Sequence, residues 1–221
     1  MQPPASISAV LQRRLDAIDL EVRDLHFKWK FFEQLFTEKQ RFEILKETAP
    51  SLFSYIQDLM LHDIILGIAR LTDPLKSSGR ENLSFDSILT EIDDLPVRTE
   101  VSEIISKIKT KTEAIRVWRN KKLAHNDLAK AIGENPLPPI YIVELSEALK
   151  LTSQILNIIF RRFQDTEVAY ADCVTSGDGD SLLFYLEYGL DAWLDDKKNL
   201  NMDRIDKLRA KRTMKDGTYG G

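Results

Sequence analysis

Cysteine is nearly absent from this chain. A single Cys173 in 221 residues rules out an internal disulfide and a cysteine-built zinc cluster, and it suits a reducing compartment. Cys173 itself reads as a structural or surface residue. Histidine is scarce too: His26, His62 and His125 are the only three. No two of them stand at a metal-ligand spacing such as i, i+4, so neither a metal nor another cofactor is expected. No glycine-rich phosphate loop occurs, which removes support for nucleotide hydrolysis. Positive charge is not in excess. The net charge of −4 argues against a general nucleic-acid coat, but leaves room for a local basic site. Long hydrophobic runs are missing as well. The most apolar stretch, Leu59 to Leu71, is broken by His62, Asp63 and Arg70, and the N-terminal region meets charge at Arg13. The expectation is therefore a cytoplasmic protein without a membrane span or secretion signal.

What the chain does have is helical periodicity almost throughout. Ile7, Val10, Leu11, Leu15, Ile18 and Val22 recur at three-to-four residue steps, continued by Leu25, Trp29, Phe32 and Phe36. Thr37 with Gln40 forms a capping box for a short helix to about Glu47, and Ala49-Pro50 closes it, with Pro50 suited to the next first turn. Phe53, Ile56, Leu59, Met60, Ile64, Leu66 and Ile68 make a helix apolar over much of its circumference, as a central bundle helix is. Asp73-Pro74 stops it; LKSSGREN is a polar loop. Ser84 caps a short helix to about Ile92. One long helix is then expected from about Pro96 to Ala124, with Val101, Ile104, Ile108, Ile115 and Trp118 near a seven-residue repeat that reaches Lys122 and His125. Gly133, Pro136, Pro138 and Pro139 make a stiff connection. A further helix spans about Tyr141 to Phe163, with Val143, Leu145, Leu149, Leu151, Ile155, Leu156 and Ile159 inside. After a turn at Thr175 to Gly179, Asp180 or Ser181 caps a last helix through Leu182, Leu183, Leu186 and Trp193. The fold class is all-α: an antiparallel helical bundle with additional N- and C-terminal helices. Residues 1–196 form the helical domain and 197–221 a charged helix or tail with a disordered end.

The stretch RNKKLAHND, Arg119 to Asp127, carries the chemistry. Arginine offers a planar, permanently charged fork for phosphate, and histidine moves a proton near neutral pH. Arg119, Asn120 and His125 together supply what acid–base cleavage of a phosphodiester needs. Lys107, Lys109, Lys111, Arg116, Arg119, Lys121 and Lys122 crowd sixteen positions against the one acid Glu113. They read either as a solvated face with the usual C-terminal cation bias, or as a guide drawing a phosphate backbone to the site. Lys109, Lys111, Lys121 and Lys122 are the candidates for that second role. On a straight α-helix Arg119 and His125 stand about 120° apart, so a second subunit is one way to complete the site.

Other groups carry blander readings. His62, Asp63, Arg70 and Asp73 either line the site as a polar cluster or, as such groups more often do, pair locally, His62 with Asp63 and Arg70 with Asp73 in a helix-end ion pair at i, i+3. His26, among Trp29, Phe31 and Phe32, reads as packed or interfacial. Asp178-Gly179-Asp180 lacks the later ligands of a calcium loop. The adjacent pairs Asp93-Asp94 and Asp195-Asp196 point to different helix faces. The basic C-terminal segment, from Lys197 to Lys215, is a solvated tail or a grip for a nucleic acid or an acidic partner.

Arg119-Asn120 followed by His125 matches the R-x(4–6)-H motif of the HEPN superfamily. LFTEKQRFEIL…TAPSLF, the run from Asp63 to ARLTDP, and GDSLLFYLEYG resemble its abortive-infection branch, over roughly residues 25–190. The resemblance implies a helical bundle, a homodimer with two motifs at a shared cleft, and metal-independent RNA cleavage by 2′-hydroxyl attack that leaves a cyclic phosphate. One histidine cannot both take and give a proton at once, and a two-fold axis brings a second His125 and Arg119 to the same phosphate. Asn120 would orient the imidazole or bind a phosphate oxygen. The biological role implied is a prokaryotic toxin or phage-defence effector, with an antitoxin or neighbouring defence protein as a possible partner. The alternative is a noncatalytic RNA-binding or protein-interaction scaffold.

Overall fold

The computed structural model describes residues 7–77, 79–123, 136–173, 176–198, 203–204 and 206–207. Its α-helices are α1 (Ala9–Phe36), α2 (Lys39–Thr48), α3 (Pro50–Leu71), α4 (Phe85–Leu89), α5 (Leu95–Lys111), α6 (Glu113–Trp118), α7 (Ile142–Gln164) and α8 (Gly179–Lys198). A π-helical turn covers Arg119–Leu123 and a 3-10 turn Tyr170–Asp172. The only described strands are Lys76–Ser77 (β1) and Arg80–Glu81 (β2), an antiparallel pair inside the expected polar loop. Asn82 pins that hairpin by donating to the Pro74 carbonyl at 2.8 Å. The all-α expectation holds.

The chain folds as two compact units: Met1–Phe32 with Ile56–Val174, and Glu33–Tyr55 with Thr175–Gly221. In the first, polar pairs mark the helix directions. Glu21 meets Arg70 (3.4 Å) and Lys28 meets Asp63 (2.5 Å), so α1 and α3 run antiparallel. Gln12 with Gln164 (3.1 Å) and His26 with Ser153 (2.7 Å) set α7 antiparallel to α1. Asp94 with Arg162 (2.6 Å) and Lys111 with Glu147 (2.5 Å) set α5 antiparallel to α7. Between them lie Leu15, Ile18, Val22, Ile64, Ile68, Val101, Ile108, Ile155 and Ile159, each fully buried. Burial of such side chains is worth roughly 1.5–3 kcal/mol each before entropy is charged.

α3 is the one described helix long and apolar enough to cross a membrane by length and composition, with a mean hydropathy of 1.3. Its Asp63 and Arg70 are nevertheless held in ion pairs, and Ile64, Ile65, Ile68 and Leu71 are core residues of the first unit, while Leu52, Tyr55 and Leu59 are exposed, so the helix is buried on one side and not over most of its circumference as expected.

Several local expectations are revised. Thr37 does not cap α2: its Oγ1 donates back to the Glu33 carbonyl at 2.7 Å, closing α1 instead. Asp178, not Asp180 or Ser181, caps α8, accepting from the Ser181 amide at 3.2 Å. Val10 and Val143 are exposed, at the outer edges of their stripes. In the second unit, Arg41 and Gln34 both reach Asp180 and so tie the start of α8 to the end of α1. Of the leucines expected inside α8, Leu183 is buried and Leu182 exposed.

Two tests come out of this packing. Gly67 sits where α3 crosses α1; a methyl there would overlap Cδ2 of Leu25 and lie 3.1 Å from its Cγ, and Leu25 is itself buried, so it can yield only by repacking its neighbours. Gly67→Ala should therefore destabilise by about 1–3 kcal/mol in urea unfolding, although helix propensity alone favours it by about 1 kcal/mol. A stabilised variant would refute the tight crossing. Burial pushes the His26 imidazole below its ordinary range, against a smaller opposing hydrogen bond at Leu149. The unfolded chain then binds the extra proton first, so stability is full above about pH 6.5 and falls as pH drops below it. His26→Gln should flatten part of the loss between about pH 7.5 and pH 5 seen in thermal unfolding; an unchanged slope would count against the assignment.

Candidate active site

The motif segment does not continue as one straight helix. α5 stops at Lys111, and Thr112 (φ −103°, ψ 17°) diverts the chain into α6. Thr112 is fully buried and its Oγ1 donates to the Ile108 carbonyl at 2.8 Å, the back-bonding that bends helices. The break re-aims the next turn at the C-terminal end of α3. There the guanidinium of Arg116 donates to the Thr72 carbonyl. Arg119 donates through Nη2 to Oδ2 of Asp73 at 2.7 Å and through Nη1 to Oδ1 of Asn120 at 3.0 Å. A helix C-terminus presents unpaired carbonyls and negative potential, so two arginines are well placed against it.

From Arg119 to Leu123 the backbone widens into a π turn, a rare i→i+5 form that clusters at functional sites. The buried stripe of Val101, Ile104, Ile108 and Ile115 ends there: Trp118 is half-buried and Lys122 exposed. Lys122 Nζ stands 4.7 Å from the Trp118 ring centroid, and Trp118 Nε1 donates to the Pro138 carbonyl at 2.7 Å. The incoming end of the proline connection is thereby tied to the turn. His125 lies outside the described residues. The 120° separation derived for it presupposed a straight α-helix, which the π turn replaces.

The structure brings Arg119, Asn120, Lys121 and Lys122 onto one turn. Lys109 and Lys111 stand further back on α5, the first paired with Asp86 (2.6 Å) and the second with Glu147 (2.5 Å). The Lys111 ammonium holds the Glu147 carboxyl below its usual range. Among the described residues no cluster of three histidine, cysteine or carboxylate side chains is placed to hold a metal ion.

Two expected pairings are replaced. Arg70 and Asp73 do not bond each other: Arg70 turns to Glu21 on α1, and Asp73 takes Arg119, 46 residues on. His62 and Asp63 do not satisfy each other either. Asp63 pairs with Lys28, while the His62 ring lies 6.4 Å from that of Trp118. Burial, helped by the nearby charge of Lys122, pushes the His62 imidazole below its ordinary range. Asp73 is thus the site residue that sequence reasoning missed. The expectation made it a helix stop paired with Arg70, and the true partner 46 positions away leaves no periodic trace.

Residues 9–179 match the family model HEPN_AbiU2, described as AbiU2. No curated protein and no solved structure matches the chain.

The Arg119–Asp73 pair is partly screened from water, with the two side chains 34% and 13% exposed. A double-mutant cycle over Arg119→Ala and Asp73→Ala should return a coupling of about 1 kcal/mol in denaturant unfolding. Additive losses would mean that the pair does not fix the turn.

Proposed function

Since the chain belongs to the AbiU2 family of the HEPN superfamily, we propose that it is a metal-independent endoribonuclease acting as a prokaryotic toxin or phage-defence effector. The observation that carries this reading is the poise of Arg119. Among the described residues its hydrogen bonds go to Asp73 and Asn120, fewer than the five N–H donors of a guanidinium allow. Asp73 thus orients the fork, and a fork so oriented has the planar geometry to meet a phosphate. In the reaction, a ribose 2′-hydroxyl gives up its proton and attacks the adjacent phosphorus. The bond to the 5′-oxygen breaks, that oxygen gains a proton, and a 2′,3′-cyclic phosphate is left. His125 is the proton carrier, and Arg119 stabilises the negative charge that builds on the phosphorane. Asn120, exposed on the same turn, contacts a phosphate oxygen or the imidazole. Lys121 and Lys122 attract the backbone.

Two proton transfers need two groups, so the active species in this reading is a homodimer with both motifs at one cleft. On α3, exposed Leu59 and half-buried His62 and Leu66 share one helical stripe, which favours an apolar seam next to the turn. The second reading, a noncatalytic RNA-binding or protein scaffold, draws on the same ion pair, because Arg119 bonded to Asp73 also serves simply to hold the turn in place.

Purified protein should cut single-stranded or loop RNA in EDTA and leave cyclic-phosphate ends. His125→Ala should abolish the cut without loss of helicity, and Arg119→Ala should lower kcat/KM at least about a hundredfold. Cleavage that needs a metal, or that survives His125→Ala, refutes the mechanism; tight binding without any cleavage selects the scaffold.

A further inference from the structure

Beside Asp73 the first unit has a small cleft of about 180 Å³ lined by Glu21, Arg70, Leu71, Asp73, Asn82 and Leu83. We infer that this cleft is a base subsite selective for guanine, receiving the nucleobase next to the phosphate that Arg119 holds. The inference rests on the ribonuclease reading for its substrate class and adds the specificity.

Size is the first argument. Sites for whole drug-sized ligands run to roughly 300–1,000 Å³, so this volume suits one flat ring system and not a complete nucleotide. Composition is the second. Leu71 is buried and Leu83 is 42% exposed, giving apolar surface for a base face. The polar lining is mixed in sign, carboxylates from Glu21 and Asp73 with a guanidinium from Arg70. Guanine is the base that answers both signs twice over: N1–H and the N2 amino group donate to a carboxylate, while O6 and N7 accept from an arginine fork. Adenine, cytosine and uracil each lack one side of that double match.

Availability is the third argument. Arg70 and Glu21 meet at 3.4 Å with side chains 52% and 43% exposed, a loose surface pair that costs little to open. Asn82 is already occupied: its amide donates to Pro74 and Ser77, and this fixes the rim formed by the β1–β2 hairpin. Asp73 belongs both to the cleft and to the Arg119 contact. The base and its phosphate therefore share one wall, and a guanine seated in the cleft keeps its own phosphate within reach of the fork.

The test uses the full-length protein and single-stranded RNA of random sequence with cut ends mapped by sequencing. Guanine should be enriched at one fixed position beside the cut. Inosine there, which lacks the N2 donor, should lower kcat/KM about tenfold. Glu21→Ala should erase the difference between guanine and inosine, and Arg70→Ala should weaken guanine preference, with circular dichroism unchanged because both residues are on the surface. In parallel, fluorescence anisotropy with oligonucleotides made uncleavable by a 2′-deoxy sugar compares guanine with inosine and adenine. Cleavage without base preference, or a preference untouched by both variants, overturns the subsite and leaves the ribonuclease standing. Guanine-selective binding without any cleavage does the reverse, and equal binding of all three bases overturns the subsite whether or not RNA is cut.

Discussion

The arrangement depends on how the C-terminal end of α3 is gripped. Arg116 takes the Thr72 carbonyl and Arg119 the Asp73 carboxylate, so one short helix and the π turn after it hang from the point where α3 stops. A helix end needs such partners in any case. The end of α3 meets that need with Arg116, three residues before the arginine that carries the motif. Fold stability and site geometry are therefore one constraint: whatever loosens the turn from α3 also moves Arg119.

That grip exists because of Thr112. Continued along the line of α5, the helix would keep its stripe of Val101, Ile104 and Ile108 against the core. The buried Thr112 hydroxyl instead bonds back to Ile108, the chain turns, and only Ile115 stays fully buried beyond it in α6 and the π turn. The lysines divide at the same place. Before the break, Lys109 and Lys111 are spent on Asp86 and Glu147, holding α5 to its neighbours. After it, Lys122 leans over Trp118 on an exposed turn. A basic run that is continuous in sequence therefore does two different jobs in space.

Much of the fold was legible because local rules set it. Pro50 opens α3, Asp73-Pro74 closes it, and the apolar spacing from Leu145 to Ile159 marks α7, which starts one residue from the expected place. The failures share a cause. Thr37, Asp178 and Thr112 each offered a short polar side chain with several backbone groups in reach, and tertiary context chose among them. At the site, Arg119 and Asn120 stood out from residue type and spacing. Asp73 did not, since the obvious partner for it was Arg70, one turn away, and the real one is fixed only once α6 has turned. The two wrong pairings were both guesses of nearest neighbours in sequence, in a bundle where antiparallel helices bring distant charges closer than local ones.

The π turn has one more consequence, for how such a motif tolerates change. A turn that closes at i→i+5 holds one residue more than an α turn closing at i→i+4. Deleting a residue between Arg119 and Leu123 tightens the turn to α form, and the downstream chain keeps its direction instead of rotating by about 100°. A residue lost within Arg119–Leu123 is thus absorbed in the widest turn without moving the arginine off Asp73.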